Sequence, residues 1–131
     1  MVCAKHVPDI QAERRFTPLG RVDRDGGDGT VNEVDENALE EARKIAEQRG
    51  DVEVVVLTMG PAQAIDAVRR GLQMGADRGV HVRDDALAGS DAFATARVLA
   101  AAVRRIGEVD LVLLGMAALD SLTSLLPAAL A

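Results

Sequence analysis

The chain has 131 residues, of which 48% are hydrophobic and 27% are charged, as in an ordinary globular protein. A net charge of −6 and an aromatic content of 2% argue against nucleic-acid binding, which needs basic stripes or stacking side chains. No apolar run approaches the roughly 20 residues of a membrane span. One cysteine excludes an internal disulfide and suits a reducing cytoplasm. We therefore expect one cytoplasmic domain over residues 1–131, without membrane insertion.

The first element is short. Only Val2 to Ala4 are apolar before Lys5, so residues 1–6 read as the end of a strand. Pro8 lacks an N–H donor and is expected to break this strand.

Residues 10–31, named the excursion below, are polar and rich in turn formers. Thr17-Pro18-Leu19-Gly20 and Asp25-Gly26-Gly27-Asp28-Gly29 predict turns, and Leu19 with Val22 predicts a small surface hairpin. A long excursion this early in a compact domain is usually functional or flexible. We interpret it as a loop that faces a partner.

From residue 32 onward, helices alternate with strands. A helix over 32–49 begins near Asn32 or Asp35, either of which can cap it, and ends at Gly50. Residues 51–58 are β-branched and almost continuously apolar, which predicts a parallel strand buried on both faces. A helix after Pro61, a strand over 79–82, a helix to about residue 106 and a strand over 111–114 follow. Their predicted buried faces include Ile65, Val68, Leu72, Phe93, Ala96, Ala100 and Val103.

This alternation predicts an α/β fold with a mainly parallel sheet between two helical layers, a Rossmann-like α/β/α arrangement. If the sheet is wound from its first strand, the fourth strand lies beside the first, opposite the second. Residues 3–6 and 115–124 then meet at the topological switch point, where α/β proteins bind ligands. An ordinary strand-to-helix connection explains residues 109–127 equally well. The chain lacks G-x-G-x-x-G after its first strand.

No catalytic constellation is evident. His6 and His81 stand apart without a cysteine or acidic cluster at ligand spacing, so no zinc site is predicted. Cys3 and His6, three residues apart on a strand, would point to opposite faces, which excludes thiol catalysis. Lys5 suits an anion contact at the switch point, or is an ordinary lysine at a strand end.

Several blocks resemble the beta subunit of electron-transfer flavoprotein, in order and across nearly the whole chain. They are Lys5-His-Val-Pro-Asp9; Gly20-Arg-Val-Asp-Arg24; Asn32-Glu-Val-Asp-Glu-Asn-Ala-Leu-Glu-Glu-Ala42; Gly60-Pro-Ala62; Met74-Gly-Ala-Asp-Arg-Gly-Val-His-Val82; Asp84-Asp-Ala-Leu-Ala-Gly-Ser-Asp91; and Asp110-Leu-Val-Leu-Leu-Gly-Met116. The resemblance covers about the N-terminal half of such a subunit.

The resemblance implies an adenine nucleotide alpha hydrolase-like fold and an electron carrier without catalysis of its own. Such a subunit holds AMP structurally, or a second FAD in electron-bifurcating relatives. It pairs with an alpha subunit that carries most of the redox FAD. The heterodimer carries electrons from flavin dehydrogenases, including those of fatty acid oxidation, to a membrane quinone oxidoreductase or another acceptor.

The resemblance also implies the residues that contact the nucleotide. They lie at the ends of the first, second and fourth strands and at the start of the first helix: Cys3, Asn32, Glu33, Val34, Asp35, Met59, Gly115, Met116, Ala117, Ala118, Leu119, Asp120, Ser121, Leu122, Thr123 and Ser124. Residues 115–124 are expected to hold the phosphate. Ser121 and Ser124 stand where close relatives carry glycine, which predicts weaker nucleotide binding because glycine permits positive φ and close backbone approach.

Three functions remain open at this stage. The first is the nucleotide-binding half of an electron-transfer flavoprotein beta subunit. The second is a free-standing adenine-nucleotide sensor resembling universal stress proteins. The third is an inactive remnant, since the short first strand and last helix suggest a fragment, a misassigned reading frame or a decayed copy.

Overall fold

A computed structural model describes residues 1–13, 15–24 and 28–131. Its main sheet has four parallel strands, β1 (Val2–Cys3), β4 (Val55–Met59), β5 (Arg78–Val82) and β6 (Leu113–Leu114), in the order β5-β4-β1-β6. β1 lies between β4 and β6. The predicted strand order, with the fourth predicted strand beside the first, is therefore confirmed.

Helices cover both faces of this sheet. They are α1 (Glu33–Arg49), α2 (Ile65–Gln73), α3 (Ala92–Ile106) and α4 (Leu126–Leu130). Successive strand residues point to opposite faces, so Val2 and Val56 pack with α1 and α2. Cys3 and Leu57 pack with α3 and α4. This confirms the three-layer α/β/α prediction.

Short turns and caps set the helix boundaries. Gly50 ends α1 in the left-handed conformation, with φ of 75°. A 3-10 turn over Ala62–Ala64 leads into α2, and another over Asp85–Leu87 precedes α3. Asp91 caps α3 by accepting a hydrogen bond from the Ala94 N–H.

The prediction of one strand over residues 1–6 is wrong, although a strand does end at Pro8 as expected. The chain leaves the main sheet after Cys3, and β2 (His6–Pro8) pairs antiparallel with β3 (Gly29–Val31) in a separate two-stranded sheet. Pro8 is tolerated because it is the last residue of a strand in a two-stranded sheet, where few ladder hydrogen bonds depend on its missing N–H.

The excursion forms a hairpin near the predicted place. Phe16 and Val22 form an antiparallel bridge, and the Thr17 N–H donates to the Arg21 carbonyl. Leu19 lies at the exposed tip. The predicted turn over residues 25–29 falls partly outside the described residues.

Two predicted buried side chains are exposed. Phe93 is 59% and Leu72 is 42% exposed, whereas Ala96 and Leu99 line the buried face of α3. Helical spacing predicted these two positions wrongly because both lie at helix ends. Phe93 is in the first turn of α3 and Leu72 is in the last turn of α2. Within the described residues, no helix combines the length and apolarity needed to cross a membrane.

Replacing Leu57 by Ala is expected to lower the free energy of unfolding by about 2–5 kcal/mol, because a fully buried leucine leaves a cavity. Leu57 is 0% exposed in β4. The matched control is Leu19→Ala at the hairpin tip, where Leu19 is 85% exposed and a change of about 0.5 kcal/mol or less is expected. Urea denaturation measures both variants, and equal losses would contradict the described core.

Candidate functional site

Three segments meet at the carboxyl end of the sheet. They are the residues after β1, the start of α1, and the loop of residues 115–124 between β6 and α4, named the β6–α4 loop. β1 pairs with β4 on one side and with β6 on the other, so this is the topological switch point of the sheet.

Asp35 joins all three segments. It is buried in the first turn of α1, and its carboxylate accepts hydrogen bonds from the Lys5 N–H at 2.8 Å and the Gly115 N–H at 3.1 Å. A side chain at Gly115 would clash with this helix start, since its Cβ would lie 2.9 Å from the Val34 carbonyl carbon and 3.0 Å from the Asp35 nitrogen. Glycine at 115 therefore permits the close approach of the loop to α1.

Asn32 fastens the middle of the β6–α4 loop. It occupies the N-cap position of α1, but its side chain makes no capping hydrogen bond. Instead its Nδ2 donates to the Ala117 carbonyl at 2.9 Å, and its Oδ1 accepts from the Leu119 N–H at 3.0 Å. The predicted capping role of the Asn32 and Asp35 side chains is therefore wrong, because both bind other segments.

Asp120 fastens the loop to two further segments. Its side chain is 1% exposed and accepts from Lys5 Nζ at 2.8 and 2.9 Å and from Arg24 Nε at 2.8 Å. Arg24 Nη2 lies 2.8 Å from the same carboxylate. The excursion is thereby anchored to the switch point.

The two buried carboxyl groups have opposite pKa shifts. Burial opposes ionisation of Asp120, but the hydrogen bonds and charges of Lys5 and Arg24 outweigh it and hold the pKa of Asp120 below its ordinary value. Burial raises the pKa of Asp35, and hydrogen bonds from the Lys5 and Gly115 amides offset only part of that effect. The difference arises because Asp120 faces two cations, whereas Asp35 accepts its hydrogen bonds from neutral amide groups.

Cys3 is unsuited to nucleophilic chemistry. Burial, together with the nearby charge of Asp35, raises the pKa of the Cys3 thiol to about 12. His81 lies in β5, and its Nε2 is 2.9 Å from the Gly60 carbonyl oxygen. In the part of the chain that the structure describes, no group of three or more His, Cys, Asp or Glu side chains is placed to hold a metal ion.

The end of the β6–α4 loop has an unusual backbone. Leu122 and Ser124 adopt the left-handed region, with φ of 51° and 52°. Residues 121–124 are exposed. Left-handed residues are one component of the backbone nests that bind anions. Ser124 thus holds a conformation that glycine adopts more easily.

Comparison with known proteins assigns the family. Residues 20–131 match the family described as the electron transfer flavoprotein domain. The chain belongs to this family.

Individual relatives agree with that assignment. The chain is 38% identical over 136 residues to the electron transfer flavoprotein subunit beta of Mycobacterium tuberculosis, covering 100% of this chain and 51% of that protein. It is 41% identical over 124 residues to the caffeyl-CoA reductase-Etf complex subunit CarD of Acetobacterium woodii, covering 95% and 47%. Protein FixA of Azorhizobium caulinodans is 42% identical over 128 residues, covering 95% and 45%. The chain spans about half the length of the curated relatives it matches.

The residues expected to contact the nucleotide lie in three different surroundings. Hydrogen bonds or close packing join Asn32, Val34, Asp35 and Gly115 with Ala117 and Leu119. Cys3 and Met59 lie in the apolar cluster on the α3 and α4 side of the sheet. Glu33, Met116 and residues 121–124 are exposed, and Ala118 accepts hydrogen bonds from the Ser121 and Leu122 amides.

Lys5 and Arg24 also belong to this junction. Sequence reasoning left Lys5 between two interpretations and did not select Arg24. A lysine directly after the first strand was a usable signal for Lys5. Arg24 had no such signal, because only the folded excursion brings it to Asp120, 96 residues away in sequence.

Replacing Asn32 by Ala is expected to lower the free energy of unfolding by about 1–3 kcal/mol, because two buried hydrogen bonds to the β6–α4 loop are lost. Hydrogen exchange should quicken at the loop amides. The matched control is Asn37→Ala on the exposed face of α1, which should be neutral or slightly stabilising because alanine favours helices. Equal effects of the two variants would show that Asn32 does not fasten the loop.

Replacing Asp120 by Asn is expected to lower stability by about 1–3 kcal/mol at pH 7, since two charge-assisted contacts are lost. The folded pKa of Asp120 lies below its ordinary value of 3.8. Its contribution is therefore present above pH 3.8 and is lost as the pH falls through the lower folded value. Denaturant unfolding across this range should show the two proteins converging in acid. Asp51→Asn, at an exposed ion pair, should change little, and a pH-independent deficit for Asp120→Asn would refute the charge effect.

Proposed function

We propose that this chain supplies the nucleotide-binding part of an electron-transfer flavoprotein beta-type subunit. In this proposal it holds the adenine nucleotide of AMP or FAD at the switch point and pairs with an alpha subunit. The pair carries electrons from flavin dehydrogenases to a quinone oxidoreductase or another acceptor. The junction of β1, α1 and the β6–α4 loop, held together by Asn32 and Asp35, is the observation that carries the proposal.

The donors at the junction fit a phosphate. The exposed end of the β6–α4 loop offers the hydroxyls of Ser121, Thr123 and Ser124 beside left-handed backbone at Leu122 and Ser124. The start of α1 lies against the same loop at Gly115, and helix starts favour anions. These neutral donors suit a group that carries negative charge.

The buried carboxylates do not oppose this use. Asp120 is shared by two cations, so its charge is more than offset. Asp35 lies beneath the loop and already accepts two amide hydrogen bonds. A phosphate at the loop would therefore meet hydroxyl and amide donors together with the two cations that share Asp120.

AMP and FAD would contribute differently to the function of this subunit. AMP would act structurally, whereas FAD would add the flavin ring that carries electrons. This chain's own residues bind and orient the nucleotide in either case. We assign them no proton transfer or covalent step.

The chain is expected to bind AMP, and Gly115→Ala is expected to weaken binding by about tenfold or more. The added methyl would push the loop from Val34 and Asp35, and such overpacking costs about 1–3 kcal/mol, where 1.4 kcal/mol is one decade in affinity. Titration calorimetry measures AMP binding. The control is Gly50→Ala at the far end of α1, which strains a left-handed residue but leaves the junction unchanged.

The partner is tested by co-expression with an alpha subunit of the same family. The purified complex should contain bound AMP or FAD, identified after denaturation. No AMP binding by the chain would overturn the proposed nucleotide site, and no complex would overturn the proposed pairing. Tight AMP binding without any complex would favour a free-standing nucleotide sensor instead.

A further inference from the structure

We propose that Lys5 and Arg24, held side by side by Asp120, are the cationic groups that bind the nucleotide's phosphate. This inference rests on the proposed function and adds two residues to it. Arg24 makes the excursion a part of the nucleotide site.

The arrangement places the carboxylate below the cations. The Asp120 side chain is 1% exposed, whereas those of Lys5 and Arg24 are 40% and 43% exposed. Both cations reach the same carboxylate at 2.8 Å while keeping solvent-facing surface. A lysine ammonium has three N–H donors and an arginine guanidinium has five, more than one carboxylate can accept. The group is therefore built to accept a second anion from the solvent side.

The charges support the same conclusion. The three side chains of Lys5, Arg24 and Asp120 together carry one positive charge, in a chain whose net charge is −6. Asp120 belongs to the β6–α4 loop itself, so the positive charge is fixed to the segment that would hold phosphate. Asp120 is thus a positioning residue, and Lys5 and Arg24 are the residues that contact the anion.

Anchoring the excursion to the β6–α4 loop does not by itself require two cations on Asp120. One cation on Asp120, that of Arg24, would be enough to anchor the excursion to the loop. Here two segments, separated from Asp120 by 115 and 96 residues, place their cations on one buried carboxylate. Their convergence at the loop is what favours anion recognition.

The test compares AMP with adenosine, which lacks the phosphate. Calorimetry on the full chain should show that Lys5→Met and Arg24→Gln each weaken AMP binding by about tenfold, the size expected for a charge-assisted hydrogen bond. Adenosine binding should change by about twofold or less, because the phosphate contact is absent. Lys5→Arg should retain most AMP affinity because it keeps the charge.

Arg49→Gln is the matched control. It removes one positive charge at the other end of α1, about 25 Å from Asn32 for a 17-residue helix. Its AMP affinity should equal that of the unaltered chain. Thermal unfolding of each variant verifies that the fold is retained.

Salt dependence gives a second measurement that needs no variant. AMP binding to the unaltered chain should weaken between 0.05 and about 0.5 M salt, because screening acts on the exposed cations, while adenosine binding should change little. Equal losses for AMP and adenosine in the variants, or unchanged AMP binding in folded variants, would overturn this inference alone. No AMP binding by the unaltered chain would overturn the proposed function as well.

Discussion

The buried carboxylate of Asp35 is the contact on which the junction depends. It accepts hydrogen bonds from the N–H of Lys5, two residues after β1, and from the N–H of Gly115, the first residue after β6, while its own backbone belongs to α1. Two neighbouring strand ends and a helix start are therefore held at fixed spacing. Removing either amide donor without a substitute would leave a buried carboxyl group with one hydrogen bond fewer, which is unfavourable.

This constraint explains the shape of the β6–α4 loop. Asp35 holds its first residue, Asn32 holds its middle, and Asp120 holds its turn against Lys5 and Arg24. The left-handed residues Leu122 and Ser124 follow directly. Non-glycine residues persist in such conformations when their surroundings over-determine them. Side-chain hydrogen bonds thus support a loop in which serine replaces the glycines expected at two positions.

The two carboxyl groups that hold the β6–α4 loop lie in different electrostatic surroundings. Asp35 lies among amides and has a raised pKa, whereas Asp120 lies beneath two cations and has a lowered pKa. The positive charge that remains near Asp120 lies at the edge of the junction, while the centre is held by hydrogen bonds. The junction is therefore held by neutral hydrogen bonds in one part and by two ion pairs in another.

The sequence by itself determined the layered fold, the strand order and the place of the junction. Buried parallel strands such as residues 54–58 have a continuous apolar pattern, and the alternation of strands with helices allows few windings. The block resemblance also predicted the family that the comparisons confirm. Only the tertiary structure decided which partners Asn32, Asp35 and Asp120 bind and that Arg24 reaches the junction. Those contacts join residues 30 to 115 positions apart, and local propensity carries no information about such distant pairs.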